Sequence, residues 1–255
     1  MEDNKTTILE GFTLPSKGLI YNKNINPNIK LRSMTVRDEM KRQSPSDRPY
    51  NKMASMIEDC IIGEKLPISV YDMSIGDYEY LLHKLRIVSY GPNYKMMVIC
   101  PNCNKVINDE INLDELKIRD FDEKDFNDSL NIHLDGCNKD ITLNFQTPRI
   151  LDEIDIKAKE LKKKTPNSNI DFTLISTLLY AIDTVDGIAL SYTEKYTFVE
   201  NLQVRDMNKI INRINLVNRK VGLDTDNIVI KCKECNYEVN TFFRYNTEFF
   251  RPTND

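Results

Sequence analysis

Lys95-Met96-Met97-Val98-Ile99-Cys100-Pro101-Asn102-Cys103 and Asn227-Ile228-Val229-Ile230-Lys231-Cys232-Lys233-Glu234-Cys235 are the two stretches that decide how this chain folds. In each, an apolar run with strand character delivers the chain to a Cys-x-x-Cys pair. In each, alternating apolar residues follow: Val106 and Ile111 after the first, Tyr237, Val239 and Phe242 after the second. Strand, CxxC turn and return strand make a metal knuckle. Cysteines three positions apart across a tight turn can aim both sulfurs at one ion about 2.3 Å away, and two knuckles face to face supply a tetrahedral four-thiolate site. Cys100, Cys103, Cys232 and Cys235 are therefore read as ligands of a structural Zn2+, the site of a zinc ribbon. Four thiolates fill the coordination shell and leave no position for water or substrate.

The spacing is unusual, because 128 residues separate Cys103 from Cys232, against about 15–20 in a compact ribbon. The intervening chain must leave the ribbon and return to it. Two other readings of the cysteines exist. A pair of disulfides belongs to an oxidising compartment, and thioredoxin-like chemistry wants a CxxC that opens a helix rather than joins two strands.

Composition narrows the field. At 255 residues, with 40% hydrophobic and 29% charged residues, the chain has ample material for a core. A net charge of −4 and a pI near 5.4 give no electrostatic footprint for nucleic acid. No run reaches the roughly 18 apolar residues a membrane helix needs. The start, Met1-Glu2-Asp3-Asn4-Lys5, has neither the basic region nor the apolar core of a signal peptide. Of the two cysteines outside the CxxC pairs, Cys60 closes an apolar helical stretch and reads as core. Cys137 lies at the hairpin tip Asp135-Gly136-Cys137-Asn138. His83 reads as a surface or cap residue of a helix and His133 as a strand residue on a polar face, so neither is expected to be a ligand.

The expected fold class is α+β, mainly helical, with a four-cysteine zinc ribbon whose knuckles are separated by a long insertion of helices and a β-hairpin. Residues 1–33 form an extended N-terminal arm with Pro15 and Gly18 at its bends, packed on a neighbouring subunit or folded back on its own domain. Residues 34–92 are helical. Thr35 and Asp38 make a capping box over a short helix to about Arg42, Tyr50–Ile62 is an amphipathic helix, and Ser74 caps a longer helix that Gly91-Pro92 ends. Residues 93–112 and 226–250 are the ribbon halves, and residues 113–225 the insertion. Within the insertion the acidic stretch 106–130 reads as a solvated connection that begins in the first ribbon half. Leu130–Leu134 and Ile141–Phe145 form a β-hairpin. Helices span Arg149–Lys164, Asp171–Ile182 and Asp206–Val221, and Asp183-Thr184-Val185-Asp186-Gly187 is a turn.

The opening Leu14-Pro15-Ser16-Lys17-Gly18-Leu19-Ile20-Tyr21, followed by Leu31-Arg32-Ser33-Met34-Thr35 and Asp38-Glu39, resembles the start of the T4-type phage baseplate hub and hub-assembly proteins. Ile182-Asp183-Thr184-Val185-Asp186-Gly187 and the paired CxxC motifs are similar to that family as well. The resemblance implies a non-enzymatic role in the baseplate of a contractile tail or in its assembly. The partners would be other baseplate and tail proteins, and the location the virion tail baseplate, or the host cytoplasm during assembly. The alternative is a zinc-ribbon protein that binds nucleic acid or serves transcription. It draws on Phe242-Phe243-Arg244-Tyr245 and Phe249-Phe250-Arg251, where aromatics interleaved with arginines can stack bases. The same aromatics equally suit a hydrophobic support for the ribbon. An enzyme has no motif behind it: there is no GxSxG, HExxH or P-loop.

Overall fold

A computed structural model of the chain describes residues 8–167, 169–243, 245 and 249–250. In order, the elements are β1 (Ile8–Thr13), β2 (Asn28–Arg32), α1 (Val36–Gln43), α2 (Pro49–Cys60), α3 (Ile75–Tyr90), β3 (Asn93–Ile99) and β4 (Val106–Asn112). There follow α4 (Glu123–Ser129), β5 (Asn131–Leu134), β6 (Lys139–Leu143), α5 (Pro148–Lys164), α6 (Thr173–Ala181) and β7 (Ile182–Val185). The chain closes with α7 (Tyr192–Glu200), α8 (Val204–Asn218), β8 (Ile228–Lys231) and β9 (Glu238–Thr241). The architecture is mixed α and β. β1–β2, β3–β4 and β8–β9 are separate antiparallel hairpins, and β5–β6–β7 is a three-stranded antiparallel sheet.

The helix starts follow their caps. Thr35 and Asp38 form the expected box, with the Thr35 N–H donating to the Asp38 carboxylate at 2.7 Å. The Arg32 guanidinium on that same carboxylate holds its pKa down at about 2. Ser74 accepts from the Asp77 N–H at 3.2 Å, and α3 stops at Gly91, whose φ of 83° a side chain would resist. Thr147 caps α5, with Pro148 in the first turn where its missing N–H costs nothing.

Two hydrophobic cores result. The first joins segments far apart in sequence: Phe12, Leu14, Ile25, Ile29 and Leu31 from the N-terminal region, one side of α2, nearly all of α3, and Ile107, Ile228, Ile230, Val239 and Phe243 from the cysteine-bearing hairpins. The second lies wholly within residues 132–214 and is built from β5–β7, α6, Val199 of α7 and Ile210 and Ile214 of α8. A small cluster of Phe126, Val217 and Val221 sits apart from both.

Within residues 8–33, β1 and β2 pair with each other, and Phe12, Leu14, Ile25, Ile29 and Leu31 join the first core. Residues 1–7 lie outside the described residues. The acidic stretch 106–130 is more ordered than a solvated connection, since it holds β4, a 3-10 turn at Leu113–Glu115 and α4, capped by Asp122. Ile182–Val185 is the third strand of the sheet rather than part of a turn, and α7 is a helix the apolar pattern does not announce. Its start is nevertheless written in Ser191 and Glu194, which form a full capping box.

The insertion docks on the first core through buried polar contacts. Asp152 of α5 is fully buried and accepts from the Tyr50 and Asn51 N–H groups at 3.2 and 2.9 Å and from the Tyr71 hydroxyl at 3.0 Å. It caps α2, whose own N-cap residue Arg48 supplies no side-chain bond. At a further contact, Gly76 lies so close to the Val221 carbonyl that a Cβ would stand 2.4 Å from its oxygen.

Candidate metal centre

β3 and β4 pair without a break from Asn93↔Asn112 to Ile99↔Val106, and β8 and β9 from Ile228↔Thr241 to Lys231↔Glu238. Each hairpin ends in the same turn. The Cys100 N–H donates to the Lys105 carbonyl and the Asn104 N–H to the Cys100 carbonyl, both at 2.9 Å. In the second hairpin the Cys232 N–H donates to Tyr237 and the Asn236 N–H to Cys232, again at 2.9 Å. The residue after each second cysteine is an asparagine in the left-handed region, Asn104 at φ 55° and Asn236 at φ 58°. Asparagine is one of the few residues with a side chain that visits this region readily. The repeated C-x-x-C-N was present in the sequence and is a signal beyond the cysteine spacing.

The two turns bring all four cysteine sulfurs within 4.8 Å of one another. Cys100 and Cys235 stand 3.7 Å apart, as do Cys103 and Cys232. That is far beyond the roughly 2.05 Å of a disulfide. It is close to the edge of about 3.8 Å for a tetrahedron of sulfurs placed about 2.3 Å from a central ion. Cys100 and Cys232 are buried and Cys103 and Cys235 half-buried. The donor set is all-sulfur and could hold a metal; such a set favours Zn2+, Cu(I) or an iron–sulfur cluster over hard cations.

Two of the four thiols are shifted, in opposite directions. The Asn102 side chain, followed by the Tyr237 N–H, draws the Cys235 thiol down to about 6. For Cys103 the Lys105 N–H favours the thiolate, but burial and the neighbouring thiols outweigh it and push the group up to about 12. A cation placed among them would displace the remaining protons, as metal binding to cysteine requires.

The hairpins rest on an aromatic cluster. Tyr94, Phe243, Tyr245 and Phe249 pack edge-on or tilted with centroids 5.1–5.7 Å apart, and Phe250 joins through Phe249. Phe243, Phe249 and Phe250 are buried and Phe242 is exposed. Arg244 and Arg251 lie outside the described residues. Beneath the cluster, fully buried Arg86 donates from Nε to the Phe249 carbonyl at 3.0 Å, and from its terminal nitrogens to those of Gly91 at 2.8 Å and Asn93 at 3.4 Å. Three backbone carbonyls thus tie the end of α3, the start of β3 and the C-terminal segment together.

His83 is a correction: it is buried at 1% exposure rather than on a helix surface, and its Nε2–H donates to the Leu113 carbonyl at 2.9 Å. His133 sits on the exposed face of β5 and pairs with Asp140. Cys60 is buried as expected, and Cys137 is half-buried. Asp186 is held by Lys139 and by the Asp140 N–H.

The Leu14–Tyr21 motif has a structural task. Asp77, in the first turn of α3 and fully buried, accepts from the Ser16 N–H at 3.0 Å, from the Ser16 hydroxyl, and from the Tyr21 hydroxyl at 2.5 Å. Lys17 and Gly18 turn through left-handed conformations, φ 55° and 74°, to present these donors.

The chain matches the family model described as T4 bacteriophage base plate protein over residues 10–251. No curated protein and no solved structure matches it.

Proposed function

From its membership of the T4 bacteriophage base plate protein family, which the match over residues 10–251 establishes, we propose that this chain is a non-enzymatic structural component of the hub region of a contractile-tail baseplate, or a factor that assembles it. A structural role in the phage baseplate, alongside other baseplate proteins, follows from the family. The hub assignment and the lack of catalysis are our reading. The family match carries it, and the four-sulfur cluster supports it. We read the cluster as a structural Zn2+ site in which Cys100, Cys103, Cys232 and Cys235 supply every ligand, so the ion joins two hairpins and offers no position for substrate. The resulting zinc ribbon is a staple, with the buried aromatics as its support. Phe243, Phe249 and Phe250 face the core, where they cannot stack bases, and this weakens the nucleic-acid alternative.

Quantitative mass spectrometry of purified particles of the encoding phage tests the reading, with zinc measured on the recombinant full chain. A fixed small number of copies per particle and one zinc per chain are expected of a baseplate component. Abundance in infected cells with absence from particles would make it an assembly factor. Absence from particles and from complexes with tail proteins would overturn both.

A further inference from the structure

The sulfurs that approach one another at 3.7 Å belong to opposite hairpins: Cys100 meets Cys235, and Cys103 meets Cys232. Each pair combines one buried cysteine with one half-buried cysteine, Cys100 with Cys235 and Cys232 with Cys103. We propose that the cluster is a staple with two chemical forms, one held by metal and one oxidised, in which disulfides Cys100–Cys235 and Cys103–Cys232 join the same two hairpins. The proposal rests on reading the cluster as the metal site of a baseplate protein.

The burial asymmetry assigns the roles. The oxidant is a peroxide, which reaches the half-buried sulfurs first. The Cys235 thiolate attacks the peroxide O–O bond, forming a sulfenic acid and releasing hydroxide. The buried Cys100 thiolate then attacks that sulfur, so that the S–S bond forms as the S–O bond breaks and a second hydroxide leaves. Cys103 and Cys232 repeat the sequence with a second peroxide. Four thiolates, two peroxides and four protons give two disulfides and four waters, and the metal departs as its ligands are consumed. Each close pair must shorten by about 1.7 Å to reach disulfide length, a movement shared between two side chains. Bonds within a knuckle, Cys100 to Cys103 or Cys232 to Cys235, would leave the hairpins unjoined. A protein that folds among reductants and then serves in a particle outside the cell passes between the environments that favour the two forms.

The test uses the full chain, with zinc content measured first. Hydrogen peroxide is added, free thiols are blocked, and disulfides are mapped by fragmentation mass spectrometry without reduction. We expect complete loss of zinc, a chain lighter than the reduced one by four hydrogen atoms, and cross-links Cys100–Cys235 and Cys103–Cys232. Dithiothreitol and zinc together should restore the starting form. Any other pairing, or sulfinic and sulfonic acids in place of disulfides, overturns the proposal. A chain that takes up no zinc refutes the metal reading by itself, and the same map on the metal-free chain still decides which sulfurs pair.

Discussion

Arg86 and His83 show what a buried polar side chain does here, and why neither was legible beforehand. Both lie on α3, where Tyr78, Tyr80, Leu81, Leu82, Leu85 and Ile87 are also buried. A helix enclosed on nearly every side has no polar face, so amphipathic periodicity misassigns its polar residues to solvent. His83 has a checkable consequence. Burial, the largest effect on it, lowers its pKa from 6.5 to about 4. Between those values the unfolded chain binds the proton and the folded chain does not, so stability falls as pH drops from about 6.5 to about 4 and is unaffected by this group above that window. A shift of this size corresponds to about 3 kcal/mol. Urea unfolding across that range should therefore show a shallower loss of stability in His83→Gln than in the wild type. Parallel pH profiles would remove His83 from the account. The Asp77 network with Ser16 and Tyr21 lay equally out of view: the sequence displays the Leu-Pro-Ser-Lys-Gly motif, but not the carboxylate 61 positions later that receives its hydrogen bonds.

Among elements, the two cysteine hairpins were the most legible, because chemistry fixes their spacing and alternation fixes their strands. Capped helices came next: α1 and α3 begin where Thr35 and Ser74 predict, and α5 begins at Pro148, one residue before the expected Arg149. The misses have physical causes. The turn that was expected to span Asp183–Gly187 hides β7 because Ile182–Val185 is too short to alternate visibly, and its strand identity comes from pairing with β6. α7 has little apolar stripe, and only its Ser191–Glu194 box marks it. Replacing Cys232 by Ser tests the hairpin unit. The variant should bind less than one zinc per chain and melt at a lower temperature, at a cost of several kcal/mol, because structural zinc contributes on the order of 10 kcal/mol where folding and binding are coupled. A variant that keeps both its zinc and its melting temperature would show that the cysteines do not act as a set.

For the whole molecule, the question is how a core within residues 132–214 stays fixed to one built from both ends of the chain. Asp152 is the clearest polar link, and its three donors sit on α2 and on Tyr71 of the 3-10 turn Val70–Asp72. Asp152→Ala would leave those donors unpaired at a cost of about 3 kcal/mol. Hydrogen exchange should then show faster opening at the start of α2 and looser coupling between the cores; unchanged exchange there would place the link elsewhere, with the close Gly76–Val221 packing as the next element to alter. The sequence indicated that something large had to leave the ribbon and return, but not what held it, since the contacts join positions about 100 residues apart. The position of the staple also determines how the molecule carries load. On the proposed metal reading, with the Cys100 and Cys235 sulfurs 3.7 Å apart, tension on the two ends of the chain would pass from one hairpin to the other through the ion. The 134 positions between them would be short-circuited. The insertion would then stay slack while the termini are pulled, free to keep its fold and its contacts under load.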